Sequence, residues 1–109
     1  MTHRALWANS MIEKVRILGH DYMVRFDPKD QIRQDRTGSC NSFLGEIVVA
    51  PMATPSQQRD VFIHECIEAI NFNLELELKH PQIASLACAL YQIFADNPEV
   101  LDWIKEVHK

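Results

Sequence analysis

No apolar run in this chain approaches the roughly 20 residues that a membrane-spanning helix needs. The opening stretch, MTHRALWANSMIEKV, lacks an apolar segment ending in small residues, so no secretory leader is expected. Cysteine is scarce: Cys40, Cys66 and Cys88 are odd in number, widely spaced and contain no C-x-x-C pair. That spacing argues against a disulfide framework and against a cysteine-rich zinc knuckle. Cys66 and Cys88 read as small buried hydrophobes on helices, and the compartment expected for unpaired thiols is reducing, hence cytoplasmic. Surplus positive charge is also missing. The formal net charge is −4, a sign that repels phosphate backbones and argues against nucleic acid as a partner. There is no internal repeat, low-complexity tract or linker. Neither a membrane nor a nucleic acid is therefore expected among its partners.

The chain has 109 residues, of which 47% are hydrophobic and 24% charged. This is ordinary globular usage, and the length suits one domain, residues 1–109, with a modest core. The first half reads as strands. In EKVRILGHDYMVRFDP, Val15, Ile17 and Leu18 form one strand, while Tyr22, Val24 and Phe26 alternate on the next. Gly19, His20 and Asp21 supply the turn between them. Residues 1–10 read as a loose arm, and Asp27 to Asp30 as a closing turn. QIRQDRTGSCN is polar and rich in turn formers, so it reads as loop with room for one short strand. Glu46 to Ala50 is the strongest strand candidate, stopped by Pro51. The second half reads as helices. Thr54, Pro55 and Gln57 form a capping-box start for a helix reaching about Asn73. Pro81 opens a second helix to about Ala95, with apolar residues at helical spacing. Asn97-Pro98 opens a third. The expected class is α+β: a small antiparallel sheet of three or four strands followed by three helices.

The segment His64-Glu65-Cys66-Ile67-Glu68-Ala69-Ile70 carries the chemistry. On a helical wheel Ile63, Cys66, Ile67, Ile70 and Leu74 fall on one side, and His64, Glu65, Glu68, Asn71 and Glu75 on the other. An amphipathic surface helix explains that much. Val61 and Phe62, however, spill onto the polar side, which points to a helix covered on both sides. His64 and Glu68, four residues apart, project from one face. His80 stands at a chain reversal and returns to them if the second helix folds back antiparallel. His80 also reads as an exposed loop histidine capping a helix. Two imidazoles and one carboxylate are the ligand composition of a catalytic zinc site with an open fourth position. Glu65 would be the general base, and Asn71 or Glu75 would orient a ligand.

VFIHECIEAI resembles the active-site helix of the zincin metallopeptidases, whose motif is H-E-x-x-H. A small sheet followed by helices is similar to the minimal zincin domains of phages and other mobile elements. The resemblance covers residues 44–96. It implies His64 as first ligand, Glu65 as base, Glu68 in the place of the second histidine, and a third ligand from later in the chain. A glutamate in that place can bind zinc, but it lowers the positive charge on metal and water.

The function expected is a zinc-dependent metallohydrolase, a peptidase by the resemblance, with zinc or another divalent metal as cofactor. Its substrate would be a peptide or protein, laid by strand addition along Glu46–Ala50 as the sheet edge. So short a chain leaves little material for a cleft, which favours a homo-oligomer or a specific protein partner. The alternative is a catalytically inactive, zincin-like binding or regulatory protein. A third reading is a non-haem iron triad, in which Glu65 would have no role. Among other residues, His20 reads as solvated, and His3 and His108 as terminal. Cys40 reads as a structural thiol or a nucleophile partnered by a histidine, and Tyr91 as packing or an oxyanion donor. Trp7 and Trp103 read as anchors to the body or to a second subunit.

Overall fold

The structure, a computed structural model, describes residues 12–26, 37–50 and 54–107. Among the described residues, four strands, β1 (Lys14–Ile17), β2 (His20–Phe26), β3 (Gly38–Asn41) and β4 (Glu46–Val49), precede three helices, α1 (Pro55–Leu74), α2 (His80–Asp96) and α3 (Pro98–Glu106). This is the α+β arrangement expected. The sheet is mixed rather than wholly antiparallel. Its order is β1-β2-β4-β3, and β2 runs parallel to β4 with Met23 opposite Glu46 and Phe26 opposite Val49. β4 is therefore an inner strand and not the edge. Its Ile47, Val48, Val49 and Ala50 are all buried, the continuous apolar run of a strand covered on both faces. The edge beside the helices is β3, which pairs antiparallel with β4 from Gly38–Val49 to Asn41–Glu46.

The first hairpin turns more tightly than the sequence suggests. Ile17 pairs with His20, so the turn is Leu18-Gly19, both at positive φ (51° and 85°). His20 is the first residue of β2 and is exposed. At the β3–β4 turn, the Asn41 side chain accepts hydrogen bonds from the Phe43 and Leu44 amides, each at 3.1 Å. Gly45, at φ 65°, closes that turn. The arm over residues 1–10 with His3 and Trp7, the turn over 27–30, Pro51 and His108 lie outside the described residues.

Helix α1 starts as its cap predicts: Thr54 Oγ1 accepts from the Gln57 amide at 3.2 Å, and Gln57 Oε1 accepts from the Thr54 amide at 3.2 Å. It ends at Glu75, which is left-handed (φ 52°). The helix is covered on two sides. Val61, Phe62, Cys66, Ala69 and Ile70 pack on the sheet with Ile17, Tyr22, Val24, Ile47 and Val49. Ile63 and Ile67 pack on Ile83, Ala87 and Leu90 of α2. Leu74, assigned to the apolar side, is instead exposed at the helix end. Trp103 is 70% exposed, so it does not anchor α3 to the body. Among the described residues, no helix is long and apolar enough to cross a membrane.

Tyr22, only 2% exposed, ties these layers together. Its hydroxyl donates to Ser42 Oγ at 3.0 Å and accepts from Asn73 Nδ2 at 2.9 Å. One side chain thus joins β2, the β3–β4 turn and the end of α1. Tyr22→Phe should cost about 1–3 kcal/mol, because two partly buried polar groups, Ser42 and Asn73, lose a partner. Urea denaturation measures it, and an unchanged midpoint would contradict the role.

Candidate functional site

A groove of about 1000 Å³ runs between β3 and α1, with the start of α2 at its side. Its shape follows from the packing of α1. The sheet takes one face of that helix and α2 another, and the stripe left between them carries Asp60, His64, Glu68 and Phe72, each one turn from the next. All four line the groove. At one end Phe72 meets Phe43 edge to face, with ring centroids 5.2 Å apart.

His64, Glu68 and His80 come together at the centre. One ligand atom from each lies within 4.8 Å of the others. His64 Nε2 is 3.4 Å from Glu68 Oε2, and the His64 and His80 rings are 4.8 Å apart, centre to centre. Zinc bonds of about 2.0–2.2 Å put the ligand atoms of a tetrahedral site about 3.4 Å apart, the spacing of the His64–Glu68 pair. His80 is the exposed member of the group. Two imidazoles and a carboxylate at this spacing are a donor set that could hold a divalent metal.

His80 reaches this place because of the connection before it. Asn71 holds the backbone of Leu78: its Oδ1 accepts from the Leu78 amide at 2.9 Å, and its Nδ2 donates to the Leu78 carbonyl at 3.4 Å. Gln82 Oε1 accepts from the Lys79 amide at 2.7 Å and starts α2 there. Asn71 thus fixes the segment that delivers His80. It acts on the chain rather than on a ligand directly. Glu75 is the left-handed residue ending α1, with its N–H given to carbonyls of that helix.

Glu65 is placed differently from the wheel. It is 7% exposed and turns toward β3 rather than toward solvent, while still lining the groove. A Cβ added at Gly38 would lie 3.0 Å from Glu65 Oε2 and 2.6 Å from Val61 Cγ1. The missing side chain at Gly38 is what lets the edge strand approach the helix so closely. A glycine inside a strand signals such an approach, and that signal was available in TGSCN. Asp60, Phe72 and Phe43 were not singled out from the sequence, although Asp60 and Phe72 share the His64–Glu68 spacing.

The charged groups of the groove are of one sign. Glu46, Asp60, Glu65 and Glu68 line it with His64 and His80, and no lysine or arginine does so among the described residues. Such a lining favours a cation. Cys40 also lines it, but burial pushes its thiol up, and the Glu65 and Glu68 carboxylates add to this against the hydrogen bond from Ser42. A raised thiol is the opposite of what a nucleophile needs. Burial, with Cys40 and Glu65 nearby, pushes Cys66 up to about 12. Tyr91 does not line the groove; eleven residues beyond His80, it is about 16 Å along the helix axis.

No family model, curated protein or solved structure matches the chain.

Two outcomes test this geometry. Gly38→Ala should destabilise the fold by about 1–3 kcal/mol, the usual cost of overpacking, because Val61 and Glu65 must move. A full-strength midpoint in denaturant would show that the strand and helix are not in contact. Iodoacetamide at pH 8 should modify exposed Cys88 first and leave Cys66 untouched, as peptide mass mapping reads. Early labelling of Cys66 would contradict its burial.

Proposed function

We propose that this chain is a metal-dependent hydrolase of zincin type that cleaves a peptide bond, with zinc held by His64, Glu68 and His80. The observation that carries the reading is convergence. Residues from two helices bring two imidazoles and a carboxylate to one point, beside a buried glutamate, in the wall of an open groove. Bound zinc supplies Lewis acidity, polarising a carbonyl and easing the ionisation of water.

The chain's own residues do the rest. Glu65, adjacent to the first ligand and opening on the groove, takes the proton from the attacking water and passes it to the leaving amine. Its burial against Gly38 holds the carboxylate in one orientation, which shortens the search for productive geometry. β3, the outer strand beside the groove, offers backbone groups to an extended peptide by strand addition, the role first expected of Glu46–Ala50. Its neighbouring wall carries the metal ligands. The three free cysteines, none in a disulfide, suit the cytoplasm as the compartment we propose.

The glutamate in the second ligand place favours a second reading, a zincin-like binding protein without turnover, because it withdraws positive charge from the metal. Elemental analysis of untagged protein, coupled to an assay on a peptide mixture, separates the two. About one zinc per chain is expected, lost in His64→Ala and in His80→Ala. Glu65→Gln should keep the zinc and lose turnover by at least about a hundredfold, the usual contribution of general base catalysis. Zinc binding with no turnover in the unaltered chain supports the binding protein. No zinc in the unaltered chain contradicts the hydrolase and leaves the binding protein.

A further inference from the structure

We infer that Asp60 is the outer acceptor that orients His64 for metal binding; the inference rests on the metal-site reading above. Asp60 Oδ1 is shut off from water and has no hydrogen-bond partner among the described residues. A buried carboxylate oxygen left unpaired is costly, and most such oxygens in folded proteins find a donor. The ligand stripe supplies one. Asp60 precedes His64 by one turn, as His64 precedes Glu68, and side chains in a helix lean back toward its N-terminus. Glu68 leans on His64 in this way, with its Oε2 3.4 Å from His64 Nε2. By the same rule the His64 side chain is directed back toward the turn that carries Asp60, the Cβ atoms of such a pair being about 5–6 Å apart.

The two nitrogens of His64 then divide their tasks. Nε2 faces the Glu68 carboxylate, so it is the nitrogen offered to a metal held with that residue. A neutral imidazole that gives Nε2 to a metal carries its proton on Nδ1. That N–H needs an acceptor, and ligating histidines nearly always have one. Asp60 holds an unused acceptor one turn away on the same face. Metal binding creates the donor that Asp60 lacks, so the pair forms when the site fills. The carboxylate fixes the ring's tautomer and orientation and makes Nε2 a stronger ligand. It also adds negative charge behind the site without becoming a ligand itself.

The test uses the full chain, with Asp60→Ala and Asp60→Asn. Three readouts are needed: zinc affinity by chelator competition, melting of the metal-free protein, and the nitrogen-15 spectrum of the histidine rings. Asp60→Ala should weaken zinc about ten- to hundredfold, and Asp60→Asn, which keeps an acceptor but no charge, should weaken it less. The metal-free variants should melt no lower than the parent, since an unpaired carboxylate is lost. In the zinc-loaded parent the His64 Nδ1 proton should be resolved and slow to exchange, and in Asp60→Ala it should disappear. Unchanged zinc affinity with an unchanged Nδ1 signal would overturn the role of Asp60 alone. A lower melting point of both metal-free variants, matched by the loss in affinity, would make Asp60 merely structural and also overturn it. If the parent takes up no zinc, the metal-site reading falls and this inference with it.

Discussion

Helix α1 has two neighbours and can satisfy both only by dividing its circumference between them. The sheet takes the side with Phe62, Cys66 and Ala69, and α2 takes the side with Ile63 and Ile67. Between those contacts one stripe stays open, and it happens to hold Asp60, His64, Glu68 and Phe72. Every feature of the groove depends on this division. If α2 packed half a turn further round, its apolar residues would cover His64, and His80 would emerge on the wrong side. The polar tether from Asn71 to Leu78 matters for the same reason, because it sets where the second helix begins. Close packing then makes the arrangement discrete rather than adjustable.

The second constraint is the narrow gap between β3 and α1. Gly38 permits it, and Glu65 occupies it. Glu65 is 7% exposed there, which keeps its carboxylate on the groove side of the strand. Asp60 lies one turn before His64, and its buried Oδ1 has no hydrogen-bond partner among the described residues, which is costly. Asp60, Glu65, Glu68 and two histidines thus line one groove, the arrangement on which the proposal of a bound cation rests. Rules of stability alone leave this concentration of carboxylates unexplained.

What could be read in the sequence was local. The Thr54-Pro55-Gln57 start of α1 is a reciprocal hydrogen-bond pattern within four residues, and the structure makes both bonds. The spill of Val61 and Phe62 around α1 correctly implied cover on two sides. The His64–Glu68 pairing follows from helix geometry, and the return of His80 follows from a short antiparallel connection. The features that were not legible are those set by distant partners. The strand order placed β4 inside and β3 at the edge through a parallel pairing with β2, which no local pattern encodes. A helical wheel assigns Glu65 to solvent because it sees only the helix, whereas the strand that buries it is more than twenty residues away. Trp103 looked like an anchor to the body or to a second subunit by residue type, and the first is not seen, since it is 70% exposed.

The central claim is that two imidazoles and one carboxylate, and no thiol, hold a zinc ion. X-ray absorption of the zinc-loaded full chain tests it directly, because Cys40 lines the same groove and sulfur is easily told from nitrogen and oxygen. The account predicts a four-coordinate shell of nitrogen and oxygen at about 2.0–2.2 Å, with the outer scattering of two imidazole rings. Sulfur at about 2.3 Å, or a shell without imidazole, would contradict it.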